Sequence, residues 1–412
     1  MRDALPAAVI EQAKLAVYAV FALAGAAFAA FASRIPEIKA ILDLSAGELG
    51  ITLLAASCGS LLGLPAAGWF VHRIGAARTV GAGVVVGMLG ILTIALGVDV
   101  FASRWILNAG LWGVGLGIGS WDVAMNIEGA VVERHLGRAI MPRFHAAFSG
   151  GTVVSALLGA AMAAIGARIL PHLLGIIVLV VAVSFWALPK FLPREAHNAP
   201  EDAPRHTADA VDGTLEQPAR EGAGIGAAWR EPRTILIGCV TLVAAFTEGT
   251  ANDWLSVAFV EGYHLPPWAG VLGFATFLSF MTIGRILGTS LIDRHGRVAM
   301  VRGTFAMAVV GAAMVIFGGP ALAFAGAALW GLGASLGFPV GMSAAADDPR
   351  MAAARVSVVS TIGYLAFLGG PPILGFLGDH IGVLRSLTVV GGMVALALLA
   401  VPAVREPDTA VR

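Results

Sequence analysis

Charge is scarce in this chain: only 13% of its 412 residues are Asp, Glu, Lys or Arg. A soluble chain of this length carries about a quarter. The deficit excludes a surface that faces water on all sides and points to one that faces lipid. Neither sign is in excess, with 26 Lys and Arg against 26 Asp and Glu, so no basic footprint for nucleic acid exists. Cysteine is nearly absent. Cys58 and Cys239 lie inside apolar runs, where they are expected to be buried free thiols rather than a disulfide or a metal site. No Gly-rich loop ends in Lys-Ser or Lys-Thr, so ATP is not the expected energy source. No His-Glu or Cys-x-x-Cys metal spacing appears, nor a set of nucleophile and base. The sequence therefore predicts neither an enzyme nor a bound metal or cofactor.

What is present is apolar length. A membrane span needs about 20 mostly apolar residues. Such segments are predicted near 14–32, 49–71, 79–98, 103–132, 143–165, 172–189, 233–256, 268–291, 298–318, 320–343, 356–378 and 383–402. Ala30-Phe31-Ala32 resembles a signal-peptidase site. The run before it is nonetheless long enough to span, and further spans follow at once. The expected fold is all-α and integral to the membrane, with twelve transmembrane helices. Most connections are short, but in 190–232 Pro, Ala, Asp, Glu and Arg replace the aliphatic residues. That stretch cannot bury a core and reads as a linker. It gives an N-terminal six-helix half (1–189), a linker (190–232) and a C-terminal six-helix half (233–412).

Lys and Arg set the expected orientation. With both termini inside, the inner loops hold Arg73, Arg78, Arg134, Arg138, Arg143, Arg294, Arg297, Arg302, Arg350 and Arg355. The outer loops hold only Arg34, Lys39, Arg104, Arg168 and Arg385. The expectation is an inner-membrane protein with cytoplasmic termini and a cytoplasmic linker. Trp69, Trp105, Trp186, Trp254 and Trp268 fall near predicted span ends, where amphipathic rings prefer to lie.

The halves echo each other. Leu111-Trp112-Gly113-Val114-Gly115 recurs as Leu329-Trp330-Gly331-Leu332-Gly333. His72-Arg73-Ile74-Gly75 recurs as Asp293-Arg294-His295-Gly296 at nearly the same offset. Six helices repeated in one orientation is the parallel repeat of a large transporter class. The Gly series on the fourth and tenth helices reads as close helix packing.

The loop after the second helix runs Gly68-Trp69-Phe70-Val71-His72-Arg73-Ile74-Gly75-Ala76-Ala77-Arg78, and its counterpart runs Asp293-Arg294-His295-Gly296-Arg297. An acid followed by Arg can pair with a neighbouring helix end, and Gly then turns the chain. In these loops, in helix number and in its linker, the chain resembles the major facilitator superfamily. The superfamily's signature there is G-x-x-x-D-R/K-x-G-R/K-R/K. His72 replaces the acid of the first copy, and Thr289 stands at the Gly position of the second. The resemblance implies a gating role for Gly68, Arg73, Gly75, Asp293, Arg294, Gly296 and Arg297, with the Asp293–Arg294 pair expected to hold the inner face shut.

Two further segments carry ionisable groups into the membrane, where such groups are costly and are functional candidates by default. On the fourth helix Asp122 and Asn126 lie four apart and share a face. Asp122 sits roughly 16 Å from the inner end. Glu128 points elsewhere, nearer the surface. On the seventh helix Glu248 and Asn252 again share a face, with Glu248 expected nearer the outer side. Asp253 is expected to be a solvated cap close to the outer surface. A carboxyl group withdrawn from water can exchange a proton near neutral pH, which is what proton coupling requires. Both segments are similar to the fucose-permease-like branch of the superfamily and to its uncharacterised bacterial permeases. That branch implies substrate or proton contact for Asp122. It also uses an acid on the first helix, which this chain lacks between Lys14 and Arg34. Arg285 is a candidate for binding an anionic substrate or pairing with an acid. His145, Tyr18 and Tyr364 are lesser candidates for substrate contact.

The expected function is secondary transport of a small polar solute, sugar-like among the options, driven by the proton gradient. The expected partners are substrate, protons and lipid, and the expected state is monomeric. Drug or metabolite efflux by proton antiport is the alternative. Against it, Phe148 to Gly159 on the fifth helix contains no Pro, whereas the antiporter signature there ends in Gly-Pro.

Overall fold

A computed structural model describes residues 5–138, 140–197, 222–348 and 350–406. Every element among them is helical. In chain order the main helices are α1 (Ala7–Ala32), α2 (Ala46–Ile74), α3 (Ala76–Asp99), α4 (Arg104–Leu136), α5 (Met141–Ala164), α6 (Ile169–Ala187), α7 (Pro232–Tyr263), α8 (Pro267–His295), α9 (Arg297–Phe317), α10 (Gly319–Ala334), α11 (Ala352–Ile381) and α12 (Thr388–Ala397). This is the twelve-helix membrane architecture. Ten segments are long and apolar enough to cross a bilayer by length and composition. α4 falls short by that measure because it carries Asp122, Asn126 and Glu128 in its body. α12 is short, and its span is completed by Val383–Ser386 before it and Val401–Val404 after it.

Three spans differ from the simple apolar windows. α1 continues past a bend at Ser33 and Arg34 into Ile35–Ile41. α7 runs on to Tyr263, beyond the expected end at 256. α10 breaks after Ala334 and resumes as Gly337–Ala345. At that break the Ser335 hydroxyl donates to the Leu332 carbonyl at 2.7 Å, a local bond that competes with the helical ladder.

The chain forms two compact units, Met1–Leu44 with Thr52–Thr214, and Ser45–Ile51 with Leu215–Arg412. Within the first, α1 packs on α5 and α6, and α3 packs on α4 and α6. Within the second, α7 packs on α11 and α12, and α9 packs on α10 and α12. The second scheme is the first with every helix number raised by six. That is how a duplicated sequence shows itself in three dimensions. Glycines of the series on α4 and α10 are contact points. A methyl group on Gly117 would enter the backbone of Gly87 on α3, and one on Gly331 would enter the backbone of Phe277 on α8. Without a hydrophobic drive between helices in lipid, such approach supplies much of the association energy.

The turn glycines match as well. Gly75 (φ 87°) and Gly296 (φ 79°) both lie in the left-handed region and start the next helix. A side chain there would strain the backbone. Of the expected linker, residues 198–221 lie outside the described residues. Its first part is ordered as Leu188–Lys190 and Arg194–His197, and its last as Gly222–Ala228.

Cys58 and Cys239 are free, but both are exposed on their helices rather than buried. In a membrane protein an apolar run does not separate the protein interior from the lipid-facing side, because both are equally apolar. Arg34 reverses the other way. It stands in the turn between α1 and the short helix Ile35–Ile41, where a connection was expected, yet it is completely buried. Its Nε donates to His172 Nδ1 at 3.2 Å and its guanidinium donates to the Ala167 carbonyl at 2.6 Å, while Glu37 pairs with its charge.

Candidate functional site in each half

In the N-terminal half the polar groups of interest lie on α4. Asp122 stands near the middle of this 33-residue helix. It is partly buried and has no hydrogen-bond or ion-pair partner among the described residues. Asn126, one turn on, is 2% exposed, and its Oδ1 is buried with nothing donating to it. The indole Nε1 of Trp121 is in the same condition. Buried polar atoms are almost always paired, so three unpaired groups along two turns mark a place where partners arrive from elsewhere. Tyr18 of α1 packs edge-on against Phe144, ring centroids 4.7 Å apart, and His145 lies 5.3 Å from Phe21. Both are held by aromatic neighbours rather than beside Asp122 by any bond.

Glu128 has a different environment. It is completely buried, yet both oxygens are satisfied. The Leu192 amide donates to it at 2.7 Å and His197 Nε2 at 2.9 Å. Arg194 donates to the His72 carbonyl in the last turn of α2. The start of the linker is thus pinned to the Arg-rich end of this half. The other ring nitrogen of His197 faces the Pro193 carbonyl at 3.3 Å, so both bonds form together only in the imidazolium. Burial opposes that charge, but the hydrogen bond and charge of Glu128 outweigh it, and His197 is held above its usual range. A raised pKa stabilises the fold below the unfolded value and ceases to do so as pH rises through the folded value. The expected result is that His197→Ala costs about 1.5 kcal/mol near pH 5.5 and much less at pH 8.5. Thermal unfolding of both proteins in nanodiscs measures it, and a pH-independent difference would remove the charge from the account.

In the C-terminal half Glu248 stands at the middle of the 32-residue α7, because that helix extends to Tyr263. It is therefore not displaced toward the outer side. Arg285 of α8 donates to its Oε2 at 2.7 Å. Their side chains are 22% and 33% exposed, so the pair is neither dry nor fully hydrated. The two candidates neutralise each other. Asn252 Oδ1 is buried without a donor. Tyr364 of α11 lies 6.4 Å from Phe367, ring to ring. Asp253 was expected to be a solvated cap. It is instead half-buried and lines a small pocket between α7 and α11 with Thr250, Trp254, Ala366, Phe367 and Pro371. The remainder of α7 carries the helix end about 15 Å past it.

The loop motif between α8 and α9 also differs from expectation in its pairing. Asp293 and Arg294 are both exposed and make no bond or ion pair among the described residues. Arg297 makes the contacts: to Asp347 Oδ1 at 2.7 Å and to Ser343 Oγ at 3.0 Å. Asp347 is 7% exposed and also accepts from Arg233 at 2.9 Å. At the N-terminal copy Arg73 lies over the Trp69 ring, 4.7 Å from its centroid. Nothing crowds Gly68. Asp347→Asn is expected to destabilise this half by roughly 2–3 kcal/mol, since it leaves two guanidinium groups short of charge. Asp293→Asn is expected to stay within about 0.5 kcal/mol. Unfolding midpoints of the two variants decide it, and equal losses would return the pairing role to Asp293.

The decisive comparison is with known sequences: residues 17–371 match the sequence model of the Major Facilitator Superfamily. The chain belongs to this superfamily. A major facilitator chain is a transporter rather than an enzyme, and it binds a small-molecule substrate within a membrane. An uncharacterised MFS-type transporter of Yersinia pestis is 30% identical over 371 residues, covering 90% of this chain and 88% of that one. The membrane protein MosC of Rhizobium meliloti is 27% identical, covering 88% and 84%. Among solved structures, a mutant of the nucleoside transporter NupG superposes with a TM-score of 0.75 at 12% identity, covering 96% of this chain and 99% of that one. A mutant of the E. coli fucose:proton symporter FucP gives 0.63 at 13%, covering 95% and 98%. At such identity these structures share the fold alone with this facilitator.

Proposed function

We propose that this facilitator is a proton-coupled secondary transporter of a small polar solute and works by alternating access. The observation that carries the reading is Asp122. It is a carboxyl group at mid-helix in the membrane with no partner among the described residues, whereas Glu248 is neutralised by Arg285. An ionisable group kept in the membrane without a structural partner needs another reason to be there. Proton carriage is that reason here, and Asn126 and Asn252 supply free amide oxygens for a substrate's donors. The names of the structural neighbours suggest the first solutes to try. The test is a screen of pyranine-loaded proteoliposomes with fucose, uridine and other polar metabolites. Internal acidification on adding one of them supports the reading. A solute that is carried with no proton movement would leave the transporter and sink the coupling.

The proposal includes an inner-membrane location with cytoplasmic termini, supported by the Lys and Arg bias of the loops. In a background of Cys58→Ser and Cys239→Ser, Phe101→Cys is expected to react with a membrane-impermeant maleimide in intact cells. Arg138→Cys is expected to react only after lysis. The reverse pattern would invert the orientation.

A further inference from the structure

Asp253 is the second carboxyl group that the bonding in the structure leaves unexplained. It lies about 1.4 helical turns beyond Glu248 on α7, and it has no hydrogen-bond or ion-pair partner among the described residues. The pocket is lined as well by Gly249, Thr250 and Trp254 of α7 and by Ala366, Phe367, Gly370 and Pro371 of α11, and it is open on one side. All of these residues belong to the C-terminal unit. One more acceptor there is buried and unsatisfied, Thr250 Oγ1, while Trp254 Nε1 is a buried donor that takes no part in holding a cation. The Thr250 hydroxyl stands out because other threonines of the same helix, Thr241 and Thr247, donate back to the carbonyl four residues earlier. Thr250 makes no such bond.

We infer that this pocket is a subsite for a primary ammonium group of the substrate. The inference rests on the transporter reading above and names the chemistry that one part of its substrate brings. Four features select an ammonium group over other occupants. The carboxylate supplies the countercharge, and Arg285, the cation that α8 brings to α7, is already paired with Glu248. A charge in the membrane interior is tolerated when it is paired, and a cationic ligand pairs it. The walls are aromatic: Trp254 and Phe367 line the pocket, and Phe246 lies behind Gly370. A cation is drawn to such ring faces, whereas a bare proton on the carboxyl gains nothing from them. The acceptors number too few for a hard metal ion, which takes six or more oxygens, but they suit the three N–H donors of an ammonium. The last feature is size. Room remains for a group about as large as a water molecule, which admits –NH3⁺ and excludes a trimethylated head.

The experiment uses the full chain in nanodiscs and reads thermal stabilisation by ethylammonium chloride at pH 8. Tetramethylammonium chloride and sodium chloride at equal ionic strength are the controls. Ethylammonium is expected to raise the unfolding temperature of the wild type in a saturable way. Asp253→Asn is expected to weaken the apparent affinity at least tenfold, as loss of a charge-assisted contact does. Phe367→Leu keeps the carboxylate and removes one ring, and it is expected to weaken affinity several-fold. It serves if the Asp253 variant does not fold. Asp293→Asn, a change at an exposed carboxyl group that makes no bond among the described residues, is expected to leave ethylammonium binding intact, which ties the effect to the pocket. Equal stabilisation by tetramethylammonium, stabilisation by sodium alone, or no difference between wild type and both pocket variants would each overturn the assignment. A binding result of either kind stands apart from proton transport, so the failure of one reading is not the failure of the other.

Discussion

Asp122→Asn is expected to abolish substrate-driven proton uptake, by more than tenfold, while counterflow exchange of the same substrate continues at a substantial rate. The argument is one of states. A coupled carrier needs a group that holds a proton in one facing state and releases it in the other. Asn matches Asp in shape and keeps the packing of α4, but it cannot titrate. Exchange needs only that the loaded protein alternate, and the amide mimics the protonated acid in that step. Coupled uptake needs proton release, which the amide forbids. Both are measured in one preparation of proteoliposomes, the first with an internal pH dye and the second with labelled substrate on both sides. Coupled uptake at the wild-type rate would make Asp122 structural. The unpaired Asp253 of α7 would then be the next carboxyl group to test.

The second large effect concerns Glu248 and Arg285. Glu248→Gln leaves a guanidinium in the membrane with no countercharge, and Arg285→Gln leaves a carboxylate in the same position. Removing one partner of a buried pair costs about 3–5 kcal/mol. The partial exposure of both side chains lowers the expectation to roughly 2 kcal/mol for each single change. The double change, which removes both charges, is expected to recover most of that loss. Unfolding of the four proteins in nanodiscs closes the cycle. If the double variant loses the sum of the two singles, the residues do not act as a pair, and Arg285 regains its standing as an anion site.

The fold was legible from the sequence because a bilayer imposes a one-dimensional rule. Each span needs a run of apolar residues, and the runs are visible without knowing what packs on what. The weak repeat of Leu-Trp-Gly and Arg-x-Gly located the second half, and the glycines already indicated where helices touch. The expected burial of Cys58 and Cys239 rests on neighbours along the chain, and the structure overturns it. Lipid and protein interior are alike in hydropathy, so a run of apolar residues says nothing about which face turns inward. Asp253 differs for another reason: Glu261, late in α7, weakens the apolar signal, so the apolar window ends at 256 while the helix runs on to Tyr263.

The candidate site divides along the same line. The sequence alone determined that Asp122, Glu248 and Arg285 lie within membrane spans, since their flanking residues are apolar and their spacing from the span ends follows from the rise of a helix. Only the tertiary structure decided which of them is free. Glu248 and Arg285 are on different helices, and whether they meet depends on how α7 and α8 are rotated about their axes. That rotation is set by close contacts such as Gly270 against Ser256 and Gly273 against Phe259. No periodicity in either helix encodes it. In the N-terminal half the start of the linker folds back to give Glu128 its two donors, while Asp122, six residues earlier on the same helix, has none among the described residues. A carboxyl group's chemistry in the membrane is set by what stands opposite it, and what stands opposite is fixed by side-chain shapes on a second helix.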